Sequence, residues 1–273
     1  MKQNRYKNKS EHKISMGFIS KPLIMIVILS LISIALIYTY DFIMQSTYFN
    51  IKKIGIIGNY RVKDRTIIDI AGIKPGRNIL ELNLSLVQKQ ILNNPWIQKV
   101  SVKRTFPSTL SITVLEETPF ARVKIDDIAD ILINPSGTPF KEYEPELDKL
   151  DNLPIITGLD LVKYKDKFIF QGPLFDPALR VLNMERFGRI FHVNADKNMG
   201  IAIKTNYFGT PVLMHLGFYD FKSKAYKAER IARYFKKHLN NREILMFDLY
   251  DPENVLVKSK DKDALHNLIK GGA

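Results

Sequence analysis

The hydrophobic positions of the chain follow three different patterns. Residues 22–40, PLIMIVILSLISIALIYTY, form an unbroken apolar run without any charge. Residues 99–103 and 110–114 alternate apolar and polar side chains, which predicts two strands that each bury one face. Residues 220–239 repeat apolar side chains at the three- and four-residue spacing of an amphipathic helix. The chain should therefore contain one long apolar helix, followed by a folded part of mixed helix and strand.

The apolar run is long enough to cross a membrane. A helix of 19 residues spans about 28 Å, close to the ~30 Å hydrocarbon core of a bilayer. A cleaved signal peptide is the alternative, but its apolar core has only about 7–15 residues and small residues follow it. Here Tyr-Thr-Tyr-Asp-Phe ends the run. We therefore predict a transmembrane helix at 22–40.

The net charge of +13 could indicate nucleic acid or an anionic surface as a partner. Residues 1–21 hold six Lys or Arg against one Glu and so carry +5 of that charge. A basic flank stays in the cytoplasm, so topology and anionic lipid account for this tail. The folded part then lies across the membrane, and we predict no nucleic-acid partner. Since the chain has no cysteine, disulfides and thiolate sites are excluded.

Residues 48–118 predict a small domain with the element order β-α-α-β-β. The predicted elements are a strand around 51–57, helices at 63–72 and 84–93, and strands at 99–103 and 110–114. Asp64 is the predicted N-cap of the first helix, and Gly72 the residue that stops it. Trp96, the one tryptophan of the chain, is predicted to be a packing residue where the second strand begins.

Six short motifs in this region lie in the order and spacing of a known domain. They are Ile-Gly-Asn at 57–59, Gly-Arg-Asn-Ile at 76–79, Pro-Trp-Ile at 95–97, Val-x-Arg-x-x-Pro at 102–107, Leu-x-Ile-x-Val at 110–114 and Glu-Thr-Pro-Phe-Ala at 117–121. Together they resemble the POTRA domain of the bacterial FtsQ/DivIB family of cell-division proteins. Each motif is weak alone, and the ordered combination after an N-terminal anchor is specific.

The region 119–258 predicts a second domain, rich in β-structure. A strand and a tight turn at Asn134 occupy 131–138, and residues 200–217 supply strands broken at 209–211. The helix at 220–239 has a basic outer face, which is either a solvated surface or an attachment to anionic lipid or wall polymer. Residues 243–258 predict two strands around a turn, and 259–273 a polar tail. The fold class is thus α+β, with one N-terminal transmembrane helix.

No group of side chains predicts catalysis. The five histidines, which lack metal-ligand spacing, are His12, His192, His215, His238 and His266. His192 and His215 could meet across a sheet, although ordinary surface or half-buried positions are the simpler interpretation. The carboxylates of Asp126-Asp127 point apart on an extended chain, and Glu116-Glu117 reads as a solvated strand end. We predict no enzyme activity, no cofactor, no metal and no small-molecule substrate.

The resemblance implies a scaffold rather than an enzyme. In the FtsQ family the C-terminal β domain binds the extracytoplasmic parts of FtsB and FtsL, and the complex links early to late division proteins at the septum. The motif at 248–250 resembles the family's last conserved element, with Tyr250 in the place of the usual Arg. Carried over to this chain, the resemblance implies an edge strand whose partner contacts are Asp248, Leu249, Tyr250, Val255, Leu256, Val257 and Lys258.

The family also implies a second surface and a location. The POTRA is implicated in recruitment to the septum, and its expected solvent-facing side chains are Ser101, Lys103 and Arg104. The chain is expected in the inner membrane as a single-pass protein, with its N-terminus in the cytoplasm, its domains in the periplasm and enrichment at the septum. Two alternatives remain, a membrane-anchored cell-wall enzyme and a POTRA-containing envelope assembly factor.

Overall fold

A computed structural model describes residues 16–125, 129–164, 167–239, 242–251 and 253–261, with no side-chain description for 16–21, 161–168 and 171. Most of the predicted tail at 1–21, the pair Asp126-Asp127, His12, His266 and the tail beyond 261 lie outside the described residues. The chain divides into two compact units. The first comprises residues 1–93 and 99–115, and the second comprises 94–98 and 116–273.

The first unit opens with a long helix, α1 (Met16–Gln45), whose apolar side chains are exposed from Leu23 to Phe42. Among the described residues this is the one helix long and apolar enough to cross a membrane. It continues past residue 40, where the predicted span ended. The side-chain amide of Asn78 donates to the carbonyls of Ile43 (3.2 Å) and Met44 (2.8 Å). These bonds supplement the weak 3.3 Å bond from the Ser46 N–H to Ile43, in a last turn whose carbonyls lack the usual helical donors.

The remainder of this unit has the predicted β-α-α-β-β order. Its elements are β1 (Lys53–Ile57), α2 (Asp64–Ile70), α3 (Leu84–Leu92), β2 (Ile97–Thr105) and β3 (Thr109–Glu116). The sheet order is β1-β3-β2, with β1 parallel to β3. Alternate residues of β3 are buried, as the period-two pattern predicts.

Two predicted helix boundaries have different outcomes. Gly72 follows the last helical turn with φ +61°, which confirms it as the residue that stops α2. The N-cap prediction was wrong, because Lys63 holds the cap position and Asp64 is the first helical residue. The Asp64 carboxylate instead accepts a 2.6 Å bond from the side chain of Asn59, in the turn after β1.

The second unit is built on a nine-stranded sheet. Its strands are β4 (Ala121–Ile125), β5 (Ala129–Ile133), β6 (Pro139–Glu142), β7 (Ile155–Thr157), β10 (Arg189–Asp196), β11 (Gly200–Tyr207), β12 (Thr210–Gly217), β13 (Arg242–Asp248) and β14 (Leu256–Asp261). Their order is β14-β13-β12-β11-β10-β7-β4-β5-β6. A separate hairpin consists of β8 (Asp160–Tyr164) and β9 (Lys167–Gln171).

The described part of this unit also has three α-helices: α4 (Pro145–Asp148), α5 (Phe175–Leu182) and α6 (Phe221–His238). The last two contribute Ala178, Val181, Ala225 and Ala228 to a core that the strands fill with branched and aromatic side chains. The predicted apolar stripe of α6 is therefore confirmed. With this unit, the α+β class and the N-terminal apolar helix predicted from the sequence are both present.

Local predictions in the second unit were partly corrected. The Asn134 carboxamide accepts bonds from the backbone N–H groups of Ser136 (3.1 Å) and Thr138 (3.0 Å), which confirms the turn. The β11–β12 turn lies at 208–209, since Thr210 already begins β12. The predicted tail begins too early, because β14 continues to Asp261 by pairing Ser259 with Ile244 of β13.

Trp96 and Glu117 both have structural partners. The Trp96 ring is buried and packs edge-on against Phe140 at 5.5 Å between ring centroids, which confirms a packing role. Glu117 was expected to be a solvated strand end, and this was wrong. Its carboxylate is half-buried and accepts bonds from the amides of Gln98 (3.3 Å) and Asn134 (3.0 Å).

Candidate partner-binding edge

The last strand of the chain lies at one edge of the nine-stranded sheet. Within the described residues β14 pairs with β13 alone, in antiparallel register from Arg242–Asp261 to Asp248–Leu256. The outer side of β14 therefore presents backbone N–H and C=O groups to an incoming segment. An exposed edge of this kind is either protected against pairing or used for it.

The side chains of β14 are divided between two environments. Leu256 is 65% exposed and Lys258 is exposed, so both are available to a partner. Val257 packs against the core and lies opposite the fully buried Phe247. Val255, just before the strand, packs against the same core. For these valines the side chains stabilise the fold, and only their backbone can serve an added strand.

The residues between β13 and β14 form an ordered turn. Leu249 is fully buried, and its N–H donates to the carbonyl of His215 at 2.8 Å. The Asp248 carboxylate accepts a 3.0 Å bond from the N–H of Tyr250. The Tyr250 ring is 47% exposed and lies edge-on to Phe218. Of the predicted contacts before the strand, Tyr250 has the most exposed side chain, whereas Asp248 and Val255 are half-buried.

Asp251 orders the next part of the turn. Its carboxylate accepts bonds from the N–H of Glu253 and the side-chain amide of Asn254, both at 2.9 Å. These bonds stabilise the charged form, and they lower the pKa of Asp251, the Asn254 bond having the largest effect. The turn between Tyr250 and β14 is thus stabilised by side-chain hydrogen bonds as well as by the pairing of β13 with β14.

A buried lysine on α6 contacts this turn and was not predicted from the sequence. Lys224 is 1% exposed, and its Nζ donates to the carbonyls of Leu216 (2.6 Å) and Tyr250 (3.3 Å). Burial lowers its pKa, while the nearby carboxylates of Asp220, Asp248 and Asp251 act in the opposite direction. The sequence offered one signal, since position 224 falls on the apolar stripe with 221, 225, 228 and 232.

The outer face of α6 contains charges that are paired within the fold. Glu229 forms ion pairs with Arg186 and with Arg233, both at 2.5 Å, and these two bonds lower its pKa. The Arg186 guanidinium also lies 4.0 Å from the centre of the Tyr226 ring. The sequence predicted a uniformly basic outer face for this helix. The structure shows that part of its positive charge is neutralised, because Arg186 and Arg233 are paired with Glu229.

The predicted recruitment side chains of the first unit occupy three environments. Lys103 is exposed, and Ser101 is half-buried. Arg104 does not face solvent as expected. Its guanidinium donates to the carbonyls of Ile79 (2.8 Å), Leu82 (2.5 Å) and, more weakly, Leu80 (3.4 Å). The physical reason is that the loop before α3 leaves several carbonyls without backbone donors, and Arg carries several N–H donors in a rigid fork.

Comparison with known proteins identifies the family. Residues 49–117 match the model of the "POTRA domain, FtsQ-type". The cell division protein FtsQ of Syntrophotalea carbinolica is 34% identical over 206 residues, which cover 72% of this chain and 70% of that protein. The FtsQ of Geotalea daltonii is 28% identical over 228 residues, 80% of this chain and 79% of that protein. DivIB of Clostridium acetobutylicum is 38% identical over 73 residues, 27% of this chain and 29% of that protein.

The chain belongs to the FtsQ family of cell-division proteins. The match with the Syntrophotalea protein covers more than two thirds of both chains, so the resemblance extends well beyond the POTRA. It gives the chain a role in cell division. The apolar helix α1, just before the POTRA, indicates a single-pass membrane anchor.

The histidines of this FtsQ-family chain show no convergent chemistry in the described part. His192 pairs with Lys204 and bonds through its ring to the hydroxyl of Thr157 at 2.9 Å. His215 lies beyond the intervening strand β11, where it pairs with Ala202, so the two histidines are not opposite each other. Among the residues searched, no group of three His, Cys, Asp or Glu side chains could hold a metal ion.

Proposed function

We propose that this FtsQ-family chain is a scaffold of the division machinery that binds FtsB and FtsL through the edge strand β14. The carrying observation is the position of β14 at the end of the sheet order, with one described neighbour. An extended segment of a partner can add to such an edge, so that main-chain bonds give affinity and alternate side chains give specificity.

The exposure of each side chain at and before β14 determines which contacts it can offer to a partner. Leu256 and Tyr250 supply apolar area, and Lys258 supplies a positive charge. The other predicted contacts offer a partner only their backbone, while their side chains stabilise the strand and the turn: Asp248, Leu249, Val255 and Val257. A partner segment should therefore be extended and mainly apolar opposite Leu256.

The proposed setting is the septum, with the N-terminus in the cytoplasm and both folded units in the periplasm. Support comes from the basic tail before α1 and from the cell-division role of the family. We propose the domain limits 48–118 for the POTRA and 119–261 for the partner-binding part, which then includes all of β14. The trimer with FtsB and FtsL would connect early with late division proteins, and the POTRA would recruit the chain to the septum through its exposed Lys103.

Proline substitution tests strand addition. Successive residues of a strand direct their N–H groups to opposite sides, so one of Leu256→Pro and Val257→Pro removes a bond to β13 and the other removes a donor on the free edge. The edge variant is the one in which hydrogen exchange of the β13 amides stays as slow as in the wild type. It should bind full-length FtsB at least about tenfold more weakly, because it lacks a main-chain bond and its ring obstructs the edge.

The matched control for the side chain is Leu256→Ala, which keeps the backbone donor. Affinity is measured with the full chain and full-length FtsB and FtsL in lipid nanodiscs. If both proline variants are folded and bind with the affinity of the wild type, strand addition at β14 is refuted.

A further inference from the structure

The backbone ladder between β12 and β13 ends beside the proposed surface. The last bond runs from the N–H of Leu249 to the carbonyl of His215 at 2.8 Å. Beyond it, the carbonyls of Leu216 and Tyr250 are both acceptors and cannot bond to each other. The ammonium of Lys224 bonds to both, at 2.6 Å and 3.3 Å, and so joins the two strands where the backbone no longer does.

The packing around this ammonium leaves little room. Gly217 turns the chain away from β12 with φ +68°, a conformation that favours glycine. A Cβ at this position would lie 3.1 Å from the Tyr250 ring and 3.6 Å from the Lys224 Nζ. Gly217, the Tyr250 ring and the Lys224 ammonium are therefore close neighbours, with no room for a side chain at position 217 unless one of them shifts.

The charged and aromatic groups facing Lys224 come from several elements. Asp220 is the N-cap of α6, Asp248 ends β13, and Asp251 lies in the following turn; each of these carboxylates stabilises the protonated amine. The Tyr219 ring centre is 5.1 Å from Nζ, within the range of a cation–π contact. These groups compensate for burial of the charge, which otherwise disfavours the protonated form.

We infer that Lys224 is a positioning residue for partner binding: its buried ammonium fixes the turn after β13 and thereby holds Tyr250 and β14 where a partner segment can pair with them. The inference rests on the proposed function for what is bound. The geometry explains why a lysine occupies an apolar stripe. Methionine has a similar shape and would fill the same space, yet it has no donor for either carbonyl.

The test compares Lys224→Met with Lys222→Met in the full chain. Lys222 is exposed and lies two residues earlier on the same helix, so its loss controls for the change of charge. Val193→Ala, at a fully buried position in β10, controls for lost stability away from the turn. Hydrogen exchange of the amides in 248–251 and 253–258 is measured without any partner. Affinity for full-length FtsB is measured in nanodiscs.

The expected result is about tenfold faster exchange in the turn and about tenfold weaker binding for Lys224→Met alone, because two carbonyls lose a charged donor. Lys222→Met and Val193→Ala should bind as the wild type does. If Lys224→Met does not fold, Lys224→Gln replaces it. Its amide can serve one carbonyl, so both effects should keep their direction and be smaller.

The outcomes separate this inference from the proposed function. A wild-type chain that does not bind FtsB refutes the proposed function, and the positioning role falls with it. If the wild type binds, unchanged exchange or unchanged affinity in the folded Lys224 variant overturns the inference alone. Equal weakening by Val193→Ala also overturns it, since that result would assign the effect to general stability.

Discussion

Replacing Arg104 by methionine should loosen the loop before α3 without removing any exposed contact surface. The guanidinium makes two short bonds, to the carbonyls of Ile79 at 2.8 Å and Leu82 at 2.5 Å. Bonds from a charged donor are worth about 1.5–3 kcal/mol each. Because Arg104 is half-buried, the lower end applies, and we expect a loss of about 2–3 kcal/mol. Methionine keeps most of the aliphatic contact area, so the change reports mainly on the bonds.

The assay is native-state hydrogen exchange of the full chain in nanodiscs, analysed by peptide. A single melting temperature is poorly defined for a chain with two units. A loss of about 2 kcal/mol should speed exchange in residues 79–92 roughly 30-fold. Lys103→Met is the matched control, since its exposed side chain should change stability by no more than about 0.5 kcal/mol.

The same two variants separate fold from recruitment. If the exposed lysine recruits the chain, a fluorescent fusion carrying Lys103→Met should lose septal enrichment with unchanged exchange. Unaltered exchange in residues 79–92 of the Arg104 variant would refute the structural role assigned to its guanidinium. Arg104 would then return to the recruitment surface as a free cation.

Two further predictions concern a turn and a titration. Gly58→Ala should destabilise the POTRA by at least about 1–2 kcal/mol, because φ is +87° and the new Cβ would lie 2.1 Å from the Val114 carbonyl oxygen. Gly55→Ala is the control, since a Cβ at that position has open space. Equal denaturant unfolding of the two variants would contradict the steric argument. Burial, with a smaller effect of Lys204, lowers the pKa of His192 below its ordinary 6.5. The unfolded chain therefore binds the proton more readily than the folded chain. The contribution of neutral His192 to the free energy of unfolding is thus present above pH 6.5 and is lost as the pH falls through the folded pKa. His192→Gln should flatten that dependence when hydrogen exchange of β10 and β11 is followed between about pH 7 and 5 and corrected for the intrinsic exchange rate, and an unchanged slope would argue against it.

The sequence by itself determined the elements whose signals are local. The membrane helix follows from an uncharged run of sufficient length, and the POTRA strands follow from period-two alternation. The turn at Asn134 and the end of α2 at Gly72 depend on the chemistry of one residue, so both could be predicted. The final strand pair was also visible, because its apolar residues flank a polar turn.

Tertiary structure decided which side chains are free. Arg104 and Lys103 are adjacent in sequence, yet one is bonded to three carbonyls of a loop more than twenty residues away. Lys224 lies by its spacing on the apolar stripe of α6, and only the approach of β12 and the β13–β14 turn gives its buried ammonium two acceptors. Alternation alone could not say that β14 lies at an edge, because strand order depends on pairings between distant segments. Periodicity reports how a residue faces its own element, whereas burial and bonding depend on what the rest of the chain places opposite it.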